Sequence, residues 1–170
     1  DIEAADRHMD ALRDLGARTG YLVDIVSETD DELADRLGEA GVIIFGDGPE
    51  QETLREALPG VVLRTVEEAY MRGASIYGMG RSATLWGAAA IENGSPVVGF
   101  NWLAHALVVP GYTPDDADTL REWVHHVRTA QYGLGLGEGA ALALGPRGEI
   151  EIWGSPAVTV ALGPDIEVVP

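Results

Sequence analysis

The stretch Tyr77-Gly-Met-Gly-Arg-Ser-Ala-Thr-Leu-Trp-Gly87 joins a strand-like start to a cluster of small residues and hydroxyls. That is the composition of a sharp strand-to-helix turn bearing a nucleophilic serine. Acyl transfer on such a turn needs an exposed hydroxyl, a base in reach of it, a group that orients the base, and N–H donors for the oxyanion. Two residues compete for the apex. With Gly80 there, nothing can attack an acyl carbon. With Ser82 there, Gly80-Arg-Ser-Ala-Thr84 has the Gly-x-Ser-x-small form and Ser82 is the nucleophile. The plainer role of Ser82 is a first-turn helix serine that bonds to nearby backbone.

Other chemistry is thinly represented. The chain has four histidines and no cysteine, so a thiolate nucleophile, a disulfide and a Cys-ligated metal are excluded. His105, within the apolar Leu103-Ala-His-Ala-Leu107, reads as a core histidine. His125 and His126 are adjacent on a helix and point about 100° apart, unlike an i, i+4 pair that could chelate one metal. No metal site or cofactor is expected. Gly133-Leu-Gly-Leu-Gly137 has Glu138 where a dinucleotide fingerprint needs its third glycine. Alternate glycines on a strand instead predict close approach by another backbone.

With 170 residues, 46% of them hydrophobic and 23% charged, the chain can bury a core and is expected to form one domain over residues 1–170. The net charge of −17, from 28 acidic and 11 basic residues, repels phosphate backbones and anionic lipid. Neither a nucleic-acid nor a membrane partner is expected. The acids are spread over helices as solubilising faces, so a cationic substrate is only weakly signalled. There is no run of about 18 apolar residues and no order of basic, apolar and small residues at the start, which leaves a cytoplasmic protein as the expectation.

The supporting elements follow from periodicity. Ile2, Ala5, Met9, Leu12 and Leu15 predict an amphipathic helix closed by Gly16. A strand over Tyr21 to Val26 precedes a second helix, started by the capping-box spacing of Thr29 and Glu32 and buried through Leu33, Leu37 and Ala40. Gly41 to Phe45 reads as a fully buried strand. Further helices are expected over Gln51 to Leu58 and about Thr65 to Arg72, with a strand over Ala74 to Met79 and a helix rich in small residues from Arg81 to about Ile91. Ser95 to Val109 is expected to be partly extended, and Thr113-Pro-Asp-Asp116 starts a helix running to about Ala130. Short antiparallel strands complete the chain, and their exposed edges are compatible with a homodimer. Alternating strands and helices imply parallel pairing.

From Ala40 onward, this order of pieces resembles the serine peptidase family that contains cyanophycinase and the aspartyl dipeptidase peptidase E. Phe45-Gly-Asp-Gly-Pro-Glu-Gln-Glu-Thr-Leu54 is similar to the family's Phe-Gly-Gly-Gly-Asn-Gln-x-x-Leu loop with one extra residue. Arg72-Gly73, Gly78, Ala83 and Gly87 fall where the family has Arg-Gly, four strand residues and Gly-Thr-Ser-Ala-Gly-Ala-x-x-x-Gly. Leu107-Val-Val-Pro-Gly-Tyr112 looks like the strand that ends in Asp-x-His. Gly133 to Leu142, then Trp153 to Val160, resemble Gly-Ile-Gly-Ile-Asp-Glu-x-Thr-Ala-Leu and a closing Gly-x-x-Ala-Val. Members open with a glycine-rich strand that is missing here, which fits a chain lacking its first strand.

The resemblance implies a three-layer, doubly wound, mostly parallel α/β sheet of the flavodoxin-like or class I glutamine amidotransferase-like kind, with short antiparallel strands at its C-terminal edge. It places oxyanion donors at Arg81 and at Gly46, Asp47 and Gly48, and matches Gln51, Glu138 and Arg121 to family residues. Aligned without a gap, the nucleophile position is Gly80, the histidine position is Tyr112 after Pro110, and the aspartate position is Gly137. The expectation is a catalytically degenerate member that keeps a pocket for a small molecule or peptide. The alternative is an active serine peptidase or hydrolase using Ser82, supported by Glu138 and His105. A glutaminase-like amidotransferase domain shares the layout, but that chemistry uses a thiolate.

Overall fold

The computed structural model describes residues 2–48, 51–155 and 158–166. The chain divides into two compact units, Asp1–Met79 and Gly80–Pro170.

In the first unit, α1 (Ile2–Asp14) stops where Gly16 turns left-handed at φ 99° and donates its N–H to Arg13 O. The Tyr21–Val26 strand does not form. Asp24 accepts from Val26 N and Ser27 Oγ while Glu28 accepts from Asp24 N, so local side-chain bonds close a turn there. Such bonds compete directly with a ladder. α2 (Asp30–Gly38) has the predicted box: Glu32 N donates to Thr29 Oγ1, and Thr29 N donates to Glu32 Oε2. Its buried Leu33 and Leu37 lie on the side that packs on α4 (Val61–Met71), which buries Val62, Thr65, Val66 and Ala69. Between them come β1 (Val42–Phe45) and α3 (Gln51–Ala57).

Gly73, at φ 103°, ends α4, and the Arg72 guanidinium donates to Gly38 O at 2.6 Å, where it caps the C-terminus of α2. The Arg-Gly pair therefore has work in the scaffold. β2 (Ser75–Gly78) pairs in parallel with β1, Phe45 opposite Gly78. β1 is not fully buried as expected: it alternates, with Val42 58% exposed, because it belongs to a two-stranded sheet.

The Thr29 backbone N–H, then its hydroxyl, hold the Glu32 carboxyl below its ordinary value of 4.5. A carboxyl lowered by folding stabilises the native state fully above its unfolded value, and that contribution is lost as the pH falls through the lowered folded value. Thr29→Ala removes the N-cap acceptor of Glu32 N and should cost about 1 kcal/mol at neutral pH. The Thr29 N–H bond to Glu32 survives in the mutant, so in thermal melts only the hydroxyl's share of the gap should fade as the pH falls below the ordinary 4.5 and through the lowered folded value; a gap independent of pH would count against the hydroxyl's bond to the carboxylate.

In the second unit the expected helix over Arg81 to Ile91 is replaced by a 3₁₀ segment, Gly80–Trp86, and a strand, β3 (Gly87–Glu92). Asn93 and Gly94, at φ 49° and 75°, form the tight turn that returns the chain as β4 (Ser95–Val98). Asn-Gly with both residues left-handed is the favoured hairpin connection. Alanine prefers helix, but pairing on both edges of β3 overrides that preference.

β5 (Leu103–Pro110) follows, then a 3₁₀ turn at Pro114–Asp116, α5 (Ala117–His126) and β6 (Tyr132–Leu136). The predicted helix start at Thr113 is present, and Asp116 closes it as a box by accepting from Thr113 N and Thr113 Oγ1. α5 ends at His126, short of Ala130, because Val127 is extended. The hairpin β7 (Ala140–Leu144) and β8 (Ile150–Gly154) precedes β9 (Val158–Leu162).

The main sheet has the order β4-β3-β5-β6-β9. β3, β5 and β6 run parallel, and the edge strands β4 and β9 are antiparallel. The fold is thus mixed α/β, with a parallel-rich sheet and some antiparallel strands. Leu107 and Ala89 pack with Leu120 and Val124 of α5, whereas Ala106, Val108 and Leu134 pack with Ala83 of the 3₁₀ segment and Leu142 of β7. Among the described residues no helix is long and apolar enough to cross a membrane.

Candidate functional site

In the first unit the glycine loop leaves the C-terminal edge of the parallel pair. Met79 N donates to Phe45 O at 2.9 Å, which extends the ladder and sets Gly78-Met79 beside the start of Gly46-Asp47-Gly48. Gly46 and Asp47 are exposed. A Cβ built on Gly46 or Gly48 would meet nothing within 4 Å, so packing does not demand these glycines. The C-terminal edge of parallel strands is where α/β sheets place ligands. Pro49 and Glu50 lie outside the described residues, as does the side chain of Gln51, whose backbone opens α3.

Between Tyr77 and Gly87, Gly80 is the one residue with positive φ, at 52°. It stands two residues beyond the end of β2, after Met79, and is exposed. A left-handed apex is free of Cβ strain only for glycine. Ser82 lies inside the 3₁₀ segment and is 0% exposed. Arg81 is exposed, and its carbonyl accepts from Thr84 Oγ1 at 2.7 Å.

At the other family positions, the ends of β5 and β6 come together in the second unit. Pro110 lies opposite Leu136, and Tyr112 N donates to Leu136 O at 3.0 Å. The Tyr112 ring turns inward, buried among Leu107, Leu120 and Val124. A Cβ on Gly135 would lie 2.5 Å from Tyr112 Cγ, and one on Gly133 would lie 2.7 Å from Leu120 Cδ1. The alternate glycines thus admit side chains of α5 and Tyr112, not the backbone that their spacing suggested. Gly137 is buried and Glu138 is exposed just beyond it. Arg121 is exposed on α5 and ion-paired with Asp118.

His105 is not a core histidine. It is exposed, at φ 62°, in a bulge where β5 runs four residues against two of β3. Its N–H donates to Asn101 Oδ1 at 3.1 Å, and Asn101 is itself left-handed at φ 57°. Asn is a residue that tolerates this region, which is the signal the sequence offered. His125 and His126 are exposed, and among the described residues no group of three or more His, Asp or Glu is placed to hold a metal.

No family model and no curated protein sequence matches the chain. Among solved structures, the crystal structure of a peptidase from an acI-B1 Actinobacterium matches with a TM-score of 0.61 at 16% identity, over 75% of this chain and 56% of the peptidase. The chain therefore spans little more than half the length of that protein. At this identity the likeness concerns the fold, and the chain is similar in fold to an α/β peptidase.

Proposed function

We propose that the chain is a catalytically degenerate member of the cyanophycinase and peptidase E-like family, with the doubly wound layering of that group, and that it binds a small molecule or peptide without acyl transfer. The observation that carries this reading is the backbone at Gly80. The left-handed position after β2 is filled by a residue with no side chain, while the neighbouring hydroxyl of Ser82 is fully buried. A nucleophile must meet its substrate, and a buried Ser82 Oγ does not. Tyr112 supports the same reading, since its ring packs in the core where the family places a base. The open glycine loop Gly46–Gly48 beside Gly78-Met79 is the proposed binding edge.

Fluorophosphonate labelling of the intact protein, compared with Ser82→Ala, tests this directly. Neither protein should be modified. Labelling of the wild type that disappears in Ser82→Ala would overturn the proposal in favour of a serine hydrolase using Ser82.

A further inference from the structure

The hairpin β7–β8 forms a sheet of two strands, and an isolated pair of strands is marginal in water. Every residue of β8, Ile150-Glu-Ile-Trp-Gly154, is exposed, Ile152 and Trp153 by 51% and 58%. Leu142 lies opposite Ile152 and Leu144 opposite Ile150, so one face of the hairpin carries four aliphatic side chains, of which Leu142 rests on the core while Leu144, Ile150 and Ile152 are exposed. Edge strands are normally blunted by lysine, proline or a bulge. β8 has neither lysine nor proline.

Its outward hydrogen-bonding groups can be assigned. Gly145 N donates to Glu149 O at 2.8 Å, so Gly145 and Glu149 form a bonded pair of the antiparallel ladder. Such pairs alternate along the strands. Glu151 and Trp153 therefore turn their peptide groups to β7, and Ile150, Ile152 and Gly154 turn theirs outward. Among the described residues β8 pairs with β7 alone.

We propose that this edge binds the same edge of a second copy of the chain, antiparallel, about a two-fold axis at Ile152. In that register the outward groups meet in order: Ile152 faces Ile152 of the second copy, and Ile150 faces Gly154. Glu151 then faces Trp153, which sets an indole N–H against a carboxylate on both sides of the axis. The two groups already bond within one chain, Trp153 Nε1 to Glu151 Oε2 at 2.9 Å. This self-complementarity is what commits the edge to a second copy. The product is a continuous four-stranded sheet, above the size at which strands become stable, and a two-fold interface is the commonest route to a dimer. The charge of −17 on each copy opposes the approach, so screening by salt strengthens it.

Sedimentation of the intact protein at micromolar concentrations should give twice the 18.0 kDa chain mass, with association rising as salt is added. Ile152→Lys and Ile152→Glu should each sediment as single chains, and an equal mixture of the two should recover the dimer. Because the chain has no cysteine, Ile152→Cys offers a test with little change in bulk. Facing Cα atoms at a bonded pair lie about 5.5 Å apart, within disulfide range. Oxidised glutathione, taking up the electrons of the two thiols, should link Ile152→Cys and leave Ile150→Cys unlinked, since the two copies of residue 150 lie far along the strand from each other. A single-chain mass for the wild type at every salt concentration overturns the proposal. A dimer that Ile152→Lys leaves unchanged, or equal linking at positions 150 and 152, does so as well.

Discussion

Replacing Tyr112 by alanine is expected to destabilise the Gly80–Pro170 unit by roughly 3–5 kcal/mol, the cost of truncating a buried aromatic side chain. The ring is 6% exposed, and it fills the space that Gly135 leaves against the sheet. The reverse change, Gly135→Ala, drives a Cβ into the ring and should cost about 1–3 kcal/mol in the wild type. In the Tyr112→Ala background that methyl enters vacated space, so the two losses should fall short of their sum by about 0.5–3 kcal/mol. All four tryptophans, Trp86, Trp102, Trp123 and Trp153, lie in this unit, so their fluorescence in a urea titration reports on it alone. Additive losses, or a Tyr112→Ala protein of wild-type stability, would show that the residue is not a core member and would reopen the question of its part in chemistry.

That coupling bears on how much of the site was legible beforehand. The interval from Arg72-Gly73 to Gly87 singled out Gly80, and its backbone is left-handed at φ 52°. The cause is local: after a short strand the chain must reverse, and glycine adopts the left-handed region without strain. The capping box at Thr29 and the helix start at Thr113 were legible for the same reason, since donor and acceptor are three residues apart. Elements decided by distant partners were not. Gly87-Ala-Ala-Ala-Ile91 reads as helix until β5 and β4 pair with it, and the Asn93-Gly94 turn signal beside it went unread. Tyr21 to Val26 has strand composition but no partner among the described residues, and the acceptors on Asp24 and Glu28 turn it back. His105 looked like core because its neighbours are apolar. A bulge shifts the register there and exposes it, and nothing in the alternation of Leu103-Ala-His-Ala-Leu107 encodes that shift.

The strand that carries this bulge also carries the second large effect. Leu107→Ala should cost about 2–5 kcal/mol, and toward the upper end, because the range reflects how far a site can collapse around the lost atoms. Leu107 is fully buried, and its partners in the ladders are Ala89 on β3 and Gly133 on β6. Gly133 has no side chain and the Ala89 methyl cannot swing into the void, and ladders on both edges hold β5 in place. Leu120 and Val124 of α5, which rest against Gly133, can shift inward only by leaving the surface they already contact. β5 leads into Tyr112, and β6 leads into Gly137 and Glu138, so both loops of the candidate site hang on strands that Leu107 holds together. Hydrogen exchange provides the second readout. The Tyr112 amide, bonded to Leu136 O in the wild type, should exchange faster in Leu107→Ala by the factor that the lost stability implies, tenfold for each 1.4 kcal/mol. A loss below about 1 kcal/mol, the level of a volume-conserving swap, would mean that the sheet around Leu107 yields, and that the inward packing of Tyr112 does not rest on it.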